Sequence, residues 1–213
     1  MRDPAPDPGP APAPVVRVRL ATPDDGAACA AVYRPYVLET AISFETQPPD
    51  GSEMARRIAR TLERTAWVVA EVDGTVRAYA YASRFRERPA YDWTAETTVY
   101  VDRGFARLGL GRATMTTLLD ILRLQGFHTA VAGVTPPNPG SVALHVALGF
   151  ERIGTFQAVG WKQGGWHGVE FFALELSPQE PEPLPIRPLA EAAAAWLAGA
   201  ADKADEADGA DTA

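Results

Sequence analysis

The chain has 213 residues, 46% of them hydrophobic and 22% charged, with 20 Lys and Arg against 27 Asp and Glu and a net charge of −7. This is enough chain for one domain with a full core, and it excludes fibrous and staple-dependent small scaffolds. A single cysteine, Cys29, excludes a disulfide framework and a thiolate-rich metal site, and no run reaches the roughly 18 apolar residues of a membrane span.

Residues 1–14 alternate Pro and Ala and have few backbone donors, so they read as an unfolded tail. They lack a basic-then-apolar leader, and with the lone cysteine this gives the expectation of a cytoplasmic protein. A short strand follows at 15–20, and Thr22-Pro23 predicts an N-cap with Pro at the first helical position, opening a helix through 27–37. Met54, Ile58 and Leu62, four apart among arginines, predict a second helix over 52–64. Asp73-Gly74 is a hairpin turn between strands at 67–72 and 76–83. A β-branched strand at 94–101 precedes a helix over 109–125 that closes at Gly126, with Met115, Leu118, Leu119 and Leu122 on one stripe. A strand at 129–134, a short helix near 139–148 and strands near 150–158 and 169–176 complete a mixed α/β fold, a mixed sheet with helices on both faces.

Residues 177–213 open on five prolines and end in an Ala/Asp string, and they read as a mostly disordered tail. Within them Leu189, Ala193, Trp196 and Leu197 are spaced as one short helical stripe. This tail carries eight acids against two bases, and 1–14 a further net −1, which leaves 17 bases and 17 acids in 15–176. The acidity belongs to the ends. A neutral middle and an acidic tail give no support to nucleic-acid binding, and no metal is expected.

The sharpest motif is Arg107-Leu108-Gly109-Leu110-Gly111-Arg112-Ala113, directly after a strand and opening a helix. Glycines there let a backbone approach a ligand closely, and first-turn amides with the helix dipole favour a phosphate. Thr114 stands where a dinucleotide fingerprint needs its third glycine, and the Gly-Lys-Ser/Thr of a nucleotide loop is absent. A bare glycine turn that starts a helix is the structural alternative.

The segment from Ala106 to Gly111 resembles the coenzyme-A pyrophosphate loop, R/Q-x-x-G-x-G/A, of the GNAT superfamily of acyl-CoA-dependent N-acyltransferases. Ala106 stands at the position of the usual Arg or Gln, with Arg107 beside it. A second block, Asn138 to Phe150, is similar to N-x-x-S/A-x-x-L-Y-x-x-x-G-F, with His145 in place of the tyrosine. Tyr91-Asp92-Trp93-Thr94-Ala95-Glu96-Thr97-Thr98-Val99-Tyr100-Val101, His145 and Gly160 to His167 resemble the phosphinothricin and methionine sulfone N-acetyltransferase branch over roughly 16–176.

The resemblance implies a mostly antiparallel central sheet of about seven strands, an acetyltransferase domain over 15–176, acetyl-CoA as co-substrate and a homodimer. It implies acetylation of the α-amine of a small amino-acid analogue: phosphinothricin, methionine sulfoximine or methionine sulfone. It places the cofactor on Val99, Tyr100 and Val101, on the loop Arg107, Leu108, Gly109, Leu110, Gly111, Arg112 and Ala113, and on Asn138 and Ser141. Glu96 matches the general base, and partial burial among Thr, Val and aromatic residues raises a carboxylate toward useful pKa values. His145 occupies the general-acid position, with Tyr100 as the alternative acid. For the substrate, Arg86 and Arg88 suit a carboxylate or phosphinate, and Phe44, Tyr91 and Trp93 suit an aliphatic stem. A non-catalytic acyl-CoA sensor, another small amine and a protein amine stay open as alternatives.

Overall fold

The structure is a computed structural model and describes residues 14–178 and 181–210, with 202–210 by backbone alone. The N-terminal tail expected over 1–14 lies outside the described residues except for Pro14. The elements in chain order are β1 (Val16–Leu20), α1 (Gly26–Glu39), α2 (Gly51–Leu62), β2 (Trp67–Val72), β3 (Thr75–Arg84), β4 (Thr94–Val101), α3 (Leu110–Gln125), β5 (Thr129–Val134), α4 (Pro139–Ala147), β6 (Glu151–Lys162), β7 (Gly165–Glu175) and α5 (Leu189–Ala210). The strands form one sheet in the order β1-β2-β3-β4-β5-β7-β6, antiparallel except between β4 and β5. The expected mixed α/β fold, with seven mostly antiparallel strands and helices on both faces, is present.

The sheet is sandwiched. On one face α1 and α2 bury Val32, Tyr33, Val37, Met54 and Ile58 against Trp67, Val69 and Tyr79. On the other, α3 buries Met115, Leu118, Leu119 and Leu122 against Val68, Ala80, Ala95 and Ala130. Two-sided burial explains why β2 reads as the unbroken apolar run Trp67-Val68-Val69-Ala70 and does not alternate. Asp50 caps α2 by accepting from the Glu53 amide at 2.7 Å. Asp73 (φ 50°) and Gly74 (φ 76°) make the two-residue turn between β2 and β3.

Two regions differ from expectation. Strands β6 and β7 run past 158 and start before 169, and meet at a second two-residue turn, Gln163 (φ 52°) and Gly164 (φ 77°). Gly160, within β6, serves a close approach: a Cβ there would run into the Phe44 ring. The C-terminal region is the larger correction. Leu189–Ala210 is helical, Ala192 and Ala193 are buried, and Ile186, Leu189 and Trp196 pack against the α3 side of the core. Leu189, Ala192, Ala193 and Trp196 recur at i, i+3, i+4 and i+7, and the small alanines admit the helix close to α3. Leu197, expected on that stripe, is exposed. The folded unit therefore continues past residue 176.

Candidate active site

Strands β4 and β5 pair at Thr94 with Thr129, Ala95 with Ala130 and Glu96 with Val131, and pair no further. The Thr97 hydroxyl donates to the Val131 carbonyl at 3.2 Å, and beyond it the strands part. A cleft of about 660 Å³ opens between Thr97–Val101 on one side and Gly133–Thr135 with α4 on the other, reaching the start of α3. Successive peptide units of a strand point to opposite edges. The Asp102 amide donates to Arg77 of β3 at 2.6 Å, and the Val101 carbonyl, facing the other way, accepts the Tyr36 hydroxyl at 2.6 Å. By that alternation the N–H groups of Val99 and Val101 face the cleft.

The first hydrogen bond of α3 runs from the Ala113 amide to the Gly109 carbonyl at 2.9 Å. The amides of Leu110, Gly111 and Arg112 precede it and have no intrahelical acceptor, and Gly109 offers no capping side chain. The two glycines act differently. Gly109 supplies a left-handed φ of 76°, two residues after Arg107 at 67°. Gly111 supplies space, since a Cβ would stand 3.2 Å from Val101 Cγ2 and 3.5 Å from Leu144 Cδ2. Arg107 and Arg112 line the cleft, are exposed and form no ion pair among the described residues. Leu108 and Ala113 depart from expectation: neither lines the cleft, Leu108 is exposed on the loop, and the Ala113 amide is used within the helix.

Asn138 caps α4, its Oδ1 accepting from the Ser141 amide at 3.2 Å. One turn on, His145 is 3% exposed, between Phe150 and Phe172 at 5.0 and 6.0 Å. Its Nδ1 lies 2.8 Å from the Ser141 carbonyl, which requires a proton on Nδ1, and its Nε2 has no partner. Burial pushes the imidazole pKa down, with the Ser141 carbonyl acting against it, so the ring is neutral with a free lone pair on Nε2.

Glu96, Thr98 and Tyr100 alternate with these groups and face α1 and α2. Glu96 is half-buried; burial raises its pKa and the Arg86 charge acts in the opposite direction. Tyr100 packs at 4.7, 5.0 and 5.6 Å from Tyr33, Tyr36 and Tyr79, and burial holds its phenol well above the ordinary value. Tyr33 hydrogen-bonds Ser43 and donates to Glu45, itself paired with Arg57. Phe44 lies over Gly160, Tyr91 packs edge-on to Phe85, and Arg86 rests over the Phe85 ring at 4.4 Å. Arg88 is exposed, begins the short turn Pro89–Tyr91, and is not among the charges that act on Glu96. Trp93 is not brought to this place. Its indole N–H donates to the Leu184 carbonyl at 2.7 Å, and the ring lines a separate cavity of about 570 Å³ that shares no lining residue with the cleft.

A family model described as the acetyltransferase (GNAT) family matches residues 33–150, spanning both walls of the cleft and the start of α3. The chain belongs to the GNAT acetyltransferase family. A phosphinothricin N-acetyltransferase of Streptomyces viridochromogenes is 42% identical over 83% of this chain and 96% of its own. A methionine sulfoximine and methionine sulfone acetyltransferase of Salmonella typhimurium is 34% identical over 75% and 94%. Among solved structures, a GNAT phosphinothricin acetyltransferase from Sinorhizobium meliloti in complex with acetyl-CoA aligns with a TM-score of 0.77 at 32% identity, covering 83% of this chain and 98% of that one.

The GNAT fold here also recruits residues that sequence reasoning passed over. Tyr36 and Thr97 hold the edges of the cleft, and the Thr135 hydroxyl donates to Ile42 across its mouth at 3.4 Å. Lys162, 7% exposed, donates from Nζ to the Ser43 carbonyl at 2.6 Å and pins the α1–α2 loop beneath Phe44. Tyr36 shares a helical stripe with Tyr33 and Val37, and Thr97 and Lys162 lie within segments singled out above, but their partners are distant in sequence; Thr135 follows the end of β5, whose place the pattern leaves open. Among the described residues no helix is long and apolar enough to cross a membrane, and no cluster of three His, Cys, Asp or Glu is poised for a metal.

Proposed function

We propose that this GNAT enzyme acetylates the α-amino group of a small amino-acid analogue, namely phosphinothricin, methionine sulfoximine or methionine sulfone, using acetyl-CoA as co-substrate. The observation that carries the reading is the parting of β4 from β5 at Glu96 and Val131, which puts unpaired strand amides on one side and a half-buried carboxylate on the other. The residues present fit acetyl-CoA: three free amides at the start of α3, a glycine where a Cβ would crowd Val101, and two arginines with no ion pair among the described residues.

Acetyl-CoA supplies the acetyl group as a thioester. The amides of Leu110, Gly111 and Arg112, with Arg107 and Arg112, hold the pyrophosphate. The strand amides of Val99 and Val101 bind the pantetheine arm and polarise the acetyl carbonyl, with donors aimed where negative charge develops. Asn138 and Ser141 line the opposite wall. Glu96 takes the proton of the incoming ammonium, so that a neutral amine attacks the carbonyl carbon as the carbon–sulfur bond breaks. The leaving sulfur needs a proton. Tyr100 carries one at every physiological pH, whereas His145 must first receive one at Nε2 and so serves as a relay. Arg86 holds the acid group of the substrate, and Phe44 and Tyr91 flank its stem.

The same reading takes the enzyme to be cytoplasmic and a homodimer. Support for the dimer is the edge strand β6, which with β7 leaves Ile153, Phe156, Trp161 and Trp166 about 60% exposed. A crystal grown with coenzyme A and methionine sulfone tests the site. The reading expects the pyrophosphate on the first turn of α3 and the amine within one water of Glu96. A pyrophosphate seated elsewhere, or an amine remote from Glu96, overturns it.

A further inference from the structure

The hydrogen bond that removes Trp93 from the substrate pocket belongs to a closed ring. Trp93 donates from its indole to the Leu184 carbonyl at 2.7 Å. Three residues on, the Arg187 amide donates to the Gln125 carbonyl at 2.8 Å, and the Gln125 side-chain amide donates back to the Arg187 carbonyl at 3.1 Å. The same Nε2 donates to the Arg64 carbonyl at 2.8 Å, and the Arg64 guanidinium returns to Asp92, to its carbonyl at 3.0 Å and its carboxylate at 3.2 Å. Asp92 precedes Trp93, so the ring joins the end of α3, the turn between α2 and β2, the C-terminal segment and the loop before β4. Gln125 is fully buried, and the segment is fastened downstream by α5 on α3.

We infer that residues 184–187 form a strap that positions the acceptor half of the site, with Trp93 and Gln125 as its positioning residues. The loop it fixes carries Arg86 and Tyr91, and Glu96 follows Trp93 by three residues on β4. The hydrogen bonds of the strap go to Trp93 and to Gln125 at the far end of α3, not to its first turn or to α4. Loosening it therefore costs orientation of the amine and leaves acetyl-CoA binding intact. The inference rests on the acceptor site proposed above, and its test separates the two.

Trp93→Phe keeps an aromatic ring and removes the donor; Gln125→Met breaks the ring at a residue outside the acceptor loop. In the full-length protein both variants are expected to raise KM for phosphinothricin or methionine sulfone about three- to tenfold, with kcat changed less than twofold and KM for acetyl-CoA unchanged. Amide hydrogen exchange over 85–93 is expected to speed up in both variants. That readout stands whether or not either amine is a substrate. Unchanged exchange over 85–93 in both variants overturns the strap, as does an equal rise in both KM values.

Discussion

Glu96 and Val131 form the last of the three pairs that join β4 to β5. One residue further, Thr97 reaches Val131 only through its hydroxyl, and the two strands enclose a cleft. The proposed base thus stands where the sheet divides, with its side chain on the α1–α2 face and the free amides of Val99 and Val101 at the parted edge. On the proposed function, the amine approaches from the helix side and the acetyl carbonyl is held from the cleft side.

Glu96→Gln keeps the shape of this junction and removes the base. The kcat is expected to fall about 10²- to 10⁴-fold while acetyl-CoA binding, followed by calorimetry, is retained. Because burial raises the carboxyl above its ordinary value of 4.5, kcat/KM in the parent falls as pH drops through that raised value, where the base becomes protonated. The acid limb is expected to vanish from the residual activity of the variant. A variant within tenfold of the parent, with the limb intact, assigns the base elsewhere.

The two glycines at the start of α3 separate backbone strain from lost space. Gly111→Ala places a methyl 3.2 Å from Val101 Cγ2 and 3.5 Å from Leu144 Cδ2, so the Val101 side chain must give by a few tenths of an ångström. This is expected to cost about 1–3 kcal/mol of stability and to raise the Kd for acetyl-CoA about tenfold. Gly109→Ala meets nothing within 4 Å and pays for its φ of 76°, about 1–2 kcal/mol, with a smaller effect on Kd. Urea midpoints and calorimetric titrations of both variants check the difference.

His145 gives the fold its own pH dependence. Its folded pKa lies below the ordinary 6.5, so the unfolded chain takes up the proton first. Stability is whole above about 6.5, falls as pH drops below it, and levels once the folded ring also protonates. His145→Phe, packed between Phe150 and Phe172, is expected to flatten the fall in urea midpoint between pH 7 and 5. Equal slopes in parent and variant contradict a buried neutral imidazole.

The exposed apolar side chains of the β6–β7 hairpin predict a second copy on that face. Trp166 is 64% exposed, and Trp166→Glu is expected to convert a dimer to a monomer in sedimentation velocity. A parent that sediments as a monomer removes the dimer.

Much of this was legible in the sequence, for identifiable reasons. The stripe Met115, Leu118, Leu119, Leu122 and the pair Asp73-Gly74 are local signals, and each fell where it was read. The motif from Arg107 to Arg112 marked the turn that opens α3 at the cleft because its two glycines answer to backbone needs that few other residues meet. Contacts distant in sequence were not legible. The close approach at Gly160 is one, because the Phe44 ring it admits comes from residues far upstream. The proline run suggested an unfolded tail because nothing local to it announces Gln125 or the indole of Trp93 as partners. Trp93 itself looked like a pocket wall, being an aromatic next to the acceptor loop, until the Leu184 carbonyl claimed its donor.

The central claim is tested most directly by thiol release from acetyl-CoA on mixing the full-length protein with phosphinothricin, methionine sulfoximine or methionine sulfone, with the product mass read in parallel. The account predicts release that depends on the amine, saturates with it, and yields a product heavier by one acetyl group on the α-nitrogen. Thiol release that is absent, or indifferent to the amine across all three, would contradict it.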